Sequence, residues 1–190
     1  MTTLNLLNAL QKIDKPFFSF TDLVNIIDIN PPSLKVRLNR LVKKMLLIRL
    51  MKGYYILPNR LDQLPAIANQ LYYPSYLSFE SALSKYGIIN QAPYTITFAT
   101  SRRSKKIILA SKAVEYRQLK NNLFVDFNKI ENLFIASPEK ALLDQLYLVS
   151  RGQASLAFDE LNLSTINLKK FRELAVIFPK PVQNQVRLFK

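Results

Sequence analysis

Apolar residues recur with helical spacing along the first part of the chain. TLNLLNALQKI (residues 3–13) carries leucine or isoleucine at about every third or fourth position, which predicts an amphipathic helix. A loop is expected at residues 14–18. Ser19 and Asp22 then have the spacing of a capping box, and the apolar run behind them predicts a second, short helix that stops before Asn30.

A third helix is predicted to begin near Asn30 and Pro31, which suit an N-cap and a first-turn position, although Ser33 is an alternative cap. It runs to about Lys44. One apolar stripe, the face expected to meet the core, is formed by Leu34, Leu38, Leu41 and Met45.

Beyond this helix, LLIRLMKGYYIL alternates apolar and polar residues around Lys52 and Gly53, which predicts two strands joined by a tight turn. Three helices followed by a hairpin are typical of a winged helix-turn-helix, so residues 1–60 are predicted to form one domain of that kind. Residues 58–65 have the proline and polar character of a linker.

Residues 61–190 are predicted to form a mixed α/β domain. LSFESALSKYG suits a helix with Ser78 as its cap and Gly87 just beyond its end, and SPEKALLDQLYLVS suits another helix, capped by Ser137. Between them lie five strand-like runs rich in β-branched or aromatic residues: YTITFAT, KKIILA, VEYRQL, LFVDF and NLFIA.

The chain is predicted to close with helical segments at about 156–161 and 168–178, and the prolines at 179 and 181 are expected to break the chain before the tail VQNQVRLFK. The predicted fold class is therefore α+β, with an N-terminal winged helix-turn-helix and a mainly antiparallel C-terminal sheet flanked by helices.

Charge adds a partner class to this outline. The chain has 27 Lys and Arg against 13 Asp and Glu, a formal net charge of +14, which attracts polyanions. Eight of the cations fall in residues 31–60, and no acidic residue lies between Asp28 and Asp62. A solvated helix face normally mixes charge signs, so the pattern favours double-stranded DNA as the partner. A membrane surface is disfavoured because the apolar stripe is needed for the core.

The residues expected to contact DNA follow from the helical wheel. With the leucines inward, one outward face holds Ser33, Val36, Arg37, Arg40 and Lys44, and the other flank holds Lys35, Asn39 and Lys43. Arg37 and Arg40 are the candidates for reading bases, followed by Asn39. Free backbone N–H groups are expected at the start of the helix. The hairpin adds candidates for phosphate or minor-groove contacts: Arg49, Lys52, Tyr54 and Tyr55.

A second basic cluster, Arg102, Arg103, Lys105 and Lys106, is predicted to lie in a hairpin loop between two strands. It is equally explained as a secondary site for phosphate, DNA or an acidic partner and as a soluble turn. The aromatic run at residues 72–79 is read as buried packing rather than as a partner surface.

Several functions are disfavoured because the residues that they usually require are absent. Cysteine and histidine are absent, which excludes disulfides, zinc sites of the usual kind, thiol nucleophiles and imidazole bases. The three glycines cannot be assembled into a phosphate-binding loop. The acids Glu80, Glu131, Glu139 and Asp144 are read as structural, with Asp144 paired to Lys140 at i,i+4. No catalytic residue, cofactor or metal is therefore expected, and the protein is predicted not to be an enzyme.

No apolar run approaches the length that a transmembrane helix requires, and the first residues lack the pattern of a signal peptide. The predicted location is the cytoplasm.

Two stretches, YLSFESALSKYGII and ASPEKALLDQLYL, with strands and the turn ATSRRSKK between them, resemble the AbiEi family of antitoxins from type IV, abortive-infection toxin-antitoxin systems. The resemblance implies a winged helix that binds inverted repeats at its own promoter and represses the operon. It also implies a C-terminal domain that counters a nucleotidyltransferase toxin without a stable complex. The chain is short for the family.

Two other hypotheses remain open. The chain is alternatively a stand-alone winged-helix regulator whose C-terminal domain senses a ligand or forms a dimer, or an enzyme that processes RNA or nucleotides. The sequence leaves the oligomeric state undetermined.

Overall fold

The computed structural model describes residues 2–189 and shows an α+β protein with eight α-helices and two β-sheets in that range. The helices are α1 Thr3–Lys12, α2 Phe20–Ile27, α3 Pro31–Lys43, α4 Leu64–Leu71, α5 Phe79–Lys85, α6 Pro138–Ser150, α7 Leu168–Ala175 and α8 Lys180–Val186. The strands are β1 Phe18–Ser19, β2 Ile48–Met51, β3 Tyr54–Ile56, β4 Ser75–Leu77, β5 Ile96–Thr100, β6 Lys105–Leu109, β7 Lys112–Gln118, β8 Phe127–Ile130 and β9 Leu133–Ala136.

The chain divides into two compact units. The first ends at Ile67 and also includes Ile108–Lys112, and the second comprises Ala68–Ile107 and the chain from Ala113 onward. The sequence predicts a boundary between residues 60 and 61 and a linker at residues 58–65. That segment is instead a 3-10 turn, Pro58–Gln63, that leads into α4.

The helices of the first unit begin where side chains satisfy backbone N–H groups. Ser19 and Asp22 form the predicted capping box of α2, and the side chain of Asn30 accepts from the N–H of Ser33 at 2.9 Å, which makes Asn30 rather than Ser33 the cap of α3. α1 is capped in the same way by Thr2.

A small antiparallel sheet completes this unit, in the order β1, β3, β2. The turn between β2 and β3 is Lys52–Gly53, as predicted, and Gly53 has a φ of 81°, which a residue without Cβ adopts at little cost. Strand β1 occupies the end of the segment predicted as a loop. Leucines from α1, α2 and α3 and the ring of Phe18 form one apolar core.

We expect Asp22→Ala to lower the free energy of unfolding by about 1 kcal/mol near pH 7, since Asp22 accepts from the N–H of Ser19 at 2.7 Å and from Lys15 Nζ at 2.6 Å. Burial alone would raise the pKa of Asp22, but the hydrogen bonds from Lys15 and Ser19 outweigh it and lower the pKa. The stabilisation is therefore present above the unfolded-state pKa of about 4 and is lost as the pH falls through the folded-state value.

Urea denaturation of wild type and Asp22→Ala at pH 7 and at about pH 3 measures this difference. Asp14→Ala is the matched control, because Asp14 is an exposed carboxylate that caps no helix. A gap between wild type and Asp22→Ala that persists on acidification would contradict the assignment.

The second unit is built around a six-stranded sheet in the order β6, β7, β5, β4, β9, β8. β4 runs antiparallel to β5, with Leu77 opposite Phe98, but parallel to β9, with Leu77 opposite Ile135. β5 and β7 are also parallel. The sheet is therefore mixed, which the prediction of a mainly antiparallel sheet did not anticipate.

Helix α6 lies at the centre of this unit. Every residue from Glu139 to Leu148 is buried, charged ones included. The predicted cap is confirmed, since the hydroxyl of Ser137 accepts from the N–H of Lys140 at 3.2 Å.

Three local predictions are wrong in this unit. LFVDF contributes only Phe127 to a strand, and its first residue ends a 3-10 turn at Asn121–Leu123. The helix expected near 156–161 is a single 3-10 turn, Phe158–Glu160. The tail expected after the prolines continues as α8, because Pro181 occupies its first turn, where a missing N–H costs nothing.

None of the helices in residues 2–189 has the length and apolar character needed to cross a bilayer.

Candidate nucleic-acid interface

The candidate interface is built on α3, whose two sides differ in chemistry. Leu34 and Leu38 are fully buried and Leu41 is 3% exposed, as the periodicity predicts. The prediction is wrong for Met45, which lies beyond the end of α3 and is 82% exposed. The opposite side is polar and positive. Lys35, Arg40, Lys43 and Lys44 are exposed, and Arg37 is half-buried. The leucine stripe fixes the rotation of the helix, so these cations project away from the core.

The five residues assigned to the outward face line one groove. Its volume is about 700 Å³, and its walls include Ser33, Val36, Arg37, Arg40 and Lys44. Thr2 and Thr3, at the start of α1, line it as well and were not predicted. No sequence motif signals them, because their position depends on how α1 packs in the folded unit.

The other flank of α3 is joined to the hairpin. Arg49 Nη2, from β2, donates to the side-chain oxygen of Asn39 at 2.6 Å, and its guanidinium lies 5.7 Å from the ring centroid of Tyr55. A bidentate contact from Asn39 to adenine needs that oxygen. In this structure Arg49 already occupies one of the two acceptor sites of that oxygen, and the pair braces the hairpin against α3.

The hairpin offers fewer contacts than predicted. Lys52 is exposed at the turn, and Tyr54 is half-buried, edge-on to Phe17 with ring centroids 5.8 Å apart. Tyr55 is 5% exposed and belongs to the core, so its ring is not available to a phosphate. Arg60, the last cation of the basic stretch, donates to the carbonyl of Ile13 at 3.0 Å and so links the segment after the hairpin to the end of α1.

The start of α3 does not offer the free N–H groups expected from a helix N-terminus. Pro31 and Pro32 occupy the first two positions and have no N–H, and the N–H of Ser33 is bonded to the side chain of Asn30. Leu34 donates to the carbonyl of Asn30 at 3.0 Å. The attraction of this surface for anions therefore comes from its side chains.

The positive field at this surface is not locally neutralised. Within residues 2–189, no carboxylate lies at ion-pair distance from Lys35, Arg40, Lys43 or Lys44. Asp22, in α2, is paired with Lys15. These four cations fall within about two and a half helical turns, and together they attract a negatively charged partner.

In the second basic cluster, Arg102 and Arg103 lie in the loop between β5 and β6, whereas Lys105 and Lys106 begin β6. This connection is not a hairpin. β7 lies between those two strands in the sheet, so the connection passes over the end of β7, where Ser104 accepts from the N–H of Gln118 at 2.9 Å. The prediction of a hairpin loop is wrong because the two strands are neighbours in sequence but not in the sheet.

Aromatic contacts fix this loop. Arg102 lies over the ring of Tyr72 at 4.3 Å and donates to the carbonyl of Tyr73 at 3.1 Å, and Lys105 lies 5.1 Å from the same Tyr72 ring. Lys106 pairs with Glu115 at 3.1 Å. Arg103 is exposed, and its carbonyl accepts from the hydroxyl of Tyr72. Three of the four cations thus have contacts that fix their positions within the second unit.

Of the four acids read as structural from the sequence, three make ion pairs or hydrogen bonds, namely Glu80, Glu139 and Asp144, and Glu131 is exposed. Asp144, on α6, is fully buried and accepts from the hydroxyls of Tyr76 at 3.0 Å and Ser78 at 2.8 Å. Lys140 completes this buried cluster, donating to Asp144 and to Tyr76 at 2.8 Å, so the predicted i,i+4 pair is confirmed. Glu80 accepts from Arg117 at 2.7 Å.

Burial shifts the pKa values of Asp144 and Lys140 in the directions that disfavour their charged forms. It raises the pKa of Asp144 and lowers the pKa of Lys140, while the opposite charge of each partner acts against the shift. Burial, together with the Asp144 carboxylate, also raises the pKa of Tyr76 well above its ordinary value. The cluster therefore holds α6 to β4 and to the start of α5 through groups that are costly to separate.

Comparison with known proteins shows a likeness of fold. No family model and no curated protein matches the chain. Among solved structures, the chain is similar to the crystal structure of the RV2827C protein from Mycobacterium tuberculosis, with a TM-score of 0.66 and 13% sequence identity over 96% of this chain and 74% of that chain. At that identity the likeness shows a shared fold across nearly the whole chain.

Proposed function

We propose that the first unit is a winged helix-turn-helix that binds double-stranded DNA, and that the protein represses its own promoter. The observation that carries the proposal is the cationic face of α3, which lies opposite a buried leucine stripe and beside a hairpin. A helix of this kind fits the major groove, about 12 Å wide, where it meets both phosphates and base edges.

The residues take different roles in this arrangement. Arg37 and Arg40 lie in the groove-lining face and are assigned to bases, because an arginine fork matches the acceptors of guanine. Lys35, Lys43 and Lys44 are assigned to phosphates. Lys52 and Tyr54 of the hairpin are assigned to phosphate or the minor groove. Arg49 supports the hairpin through Asn39.

The second unit is proposed to act as an antitoxin against a nucleotidyltransferase toxin, without a stable complex between the two. The support is the resemblance to AbiEi antitoxins, together with the way its two motifs meet. Ser78 of the first motif donates to Asp144 of the second, and Tyr86 donates to the carbonyl of Ala136 at 2.7 Å. The residues that carry the resemblance therefore form one structural cluster around α5 and α6.

A stand-alone regulator with a ligand-sensing second unit is the alternative. A pocket of about 400 Å³ in that unit favours it. The two functions are distinguished by a neighbouring nucleotidyltransferase gene. If its product arrests growth and co-expression of this chain restores growth, the chain is an antitoxin. Growth arrest that co-expression does not relieve would favour the regulator.

Footprinting on the DNA upstream of the protein's own gene tests the proposal. We expect protected inverted repeats, and we expect the affinity to fall with salt. If about five cations touch phosphates, log affinity plotted against log salt has a slope of about −4 to −5. If the protein does not retard this fragment in a gel mobility-shift assay at low ionic strength, or if the slope is near zero, DNA binding is contradicted.

A further inference from the structure

The second unit also contains a polar pocket of about 600 Å³. It is lined mainly by residues 115–120, at the end of β7, and by residues 147–153, at the end of α6, and all of its lining residues belong to that unit. Because β5 and β7 are parallel, their carboxyl ends lie at one edge of the sheet, the edge at which open α/β sheets commonly bind ligands. The volume is large enough for a ligand of nucleotide size.

The ion pairs at one side of the pocket carry no net charge. Glu115 accepts from Lys106 at 3.1 Å and from Arg117 at 3.0 Å, and Arg117 also pairs with Glu80 at 2.7 Å. Burial alone would raise the pKa of Glu115, but the contacts with Lys106 and Arg117 outweigh it and lower the pKa. Two cations thus face two carboxylates, and this cluster neither attracts nor repels an anionic ligand.

Two further cations, Lys120 and Arg151, line the pocket without a neutralising partner. Both are exposed, and no carboxylate of residues 2–189 lies at ion-pair distance from either. One edge of the Arg151 guanidinium is held by Tyr147, because Nη1 donates to the hydroxyl of Tyr147 at 3.1 Å. The other N–H groups of the guanidinium have no partner in the described chain and are available to a ligand.

The hydroxyl of Ser104 adds a neutral donor to the same pocket. Its oxygen accepts from the N–H of Gln118 at 2.9 Å, and its own O–H donates to no group among the described residues. The pocket therefore offers an ammonium, a guanidinium fork and a hydroxyl, with a surplus of two positive charges. A phosphate ester, which carries up to two negative charges on several acceptor oxygens, matches this set of donors.

We propose that this pocket binds a small phosphate ester of nucleotide size, with Lys120 and Arg151 both contacting the phosphate. A carboxylate would neutralise only one of these cations, whereas a phosphate dianion neutralises both. Helix α3 contributes no residue to the pocket, so the site is distinct from the proposed DNA-binding surface. This inference therefore rests neither on DNA binding nor on antitoxin activity.

Adenosine monophosphate is a suitable probe, and adenosine, which has the same base and sugar without the phosphate, is its control. Titrated into ¹⁵N-labelled full-length protein, the monophosphate should shift the amides of residues 104, 117–120 and 147–153, with a dissociation constant of roughly 0.1 to 1 mM. Adenosine should bind at least about tenfold more weakly. Equal binding of the two probes, or shifts confined to α3, would overturn the proposal.

A short single-stranded RNA distinguishes a small-molecule site from a nucleic-acid contact. We expect it to shift the pocket amides no more readily than adenosine monophosphate does, because the proposed site takes one phosphate group. Shifts of the same amides at a much lower concentration of RNA would overturn the assignment to a small molecule.

Two variants locate the contact. Lys120→Gln and Arg151→Gln should each weaken binding of adenosine monophosphate by about 3- to 10-fold, the loss of one charge-assisted contact at an exposed site. Both side chains are exposed, so we expect both variants to fold. Lys129→Gln is the matched control, because Lys129 is an exposed cation on β8, the edge strand at the opposite side of the sheet, and does not line the pocket. Unchanged binding in Lys120→Gln and Arg151→Gln, or an equal loss in Lys129→Gln, would overturn the assignment.

Discussion

Asp144→Ala is expected to lower the free energy of unfolding by about 3 to 5 kcal/mol, a large share of the stability of a domain of this size. The substitution leaves the ammonium of Lys140 fully buried, with the hydroxyl of Tyr76 as its remaining hydrogen-bond partner. It also removes the acceptor for Ser78 and Tyr76. Denaturant unfolding followed by circular dichroism measures the loss.

Two controls separate the buried charge from the mere loss of an ion pair. The double variant Lys140→Met with Asp144→Leu should recover much of the stability, because apolar residues of similar volume often replace a buried pair at little cost. Lys106→Ala breaks the ion pair to Glu115 but removes a side chain that is 80% exposed, and it should change stability by at most about 1 kcal/mol. An Asp144→Ala effect no larger than that of Lys106→Ala would show that the buried cluster does not stabilise the fold.

The sequence predicts the elements whose determinants are local. Asn30, Ser19 and Ser137 each cap a helix within three residues of themselves, and the structure has those caps. The leucine stripe of α3 is a property of thirteen consecutive residues, so its buried side and its cationic side follow from spacing alone.

The elements that the sequence misses depend on distant partners. β4 is three residues long, and it is a strand because β5 and β9 pair with it on both sides, one antiparallel and one parallel. The three residues of Ser75–Leu77 do not by themselves indicate these pairing partners. The position of β7 between β5 and β6 is equally non-local. It makes the connection between β5 and β6 a crossover rather than the predicted hairpin.

The candidate interface contains both kinds of feature, those set by local sequence and those set by distant contacts. Periodicity predicts which residues of α3 point outward, but the contact between Arg49 and Asn39 joins two elements and has no local signal. The loss of free N–H groups at Pro31 and Pro32 was visible in the sequence, because proline has none to offer. The expected anion site at the helix start was wrong for that reason.

If the protein binds DNA as proposed, Arg40→Ala and Arg37→Ala should each cost about 1 to 3 kcal/mol in binding to the fragment upstream of its own gene, and each should relax the sequence preference. An arginine that forks to a guanine contributes only where that guanine is present, so binding to a random duplex should fall much less. Both side chains line the groove on the outward face of α3, where a base edge would lie if the helix entered the major groove.

Lys44→Ala provides the comparison on the same face, because Lys44 lines the same groove but ends in a point charge suited to a phosphate. Its loss should weaken cognate and random duplexes alike and should reduce the salt slope by about 1. Titrations of each variant against both duplexes at several salt concentrations distinguish the roles. If all three variants lose the same affinity on both duplexes, then Arg37 and Arg40 contact phosphates, and sequence is read by other residues or by the shape of the DNA.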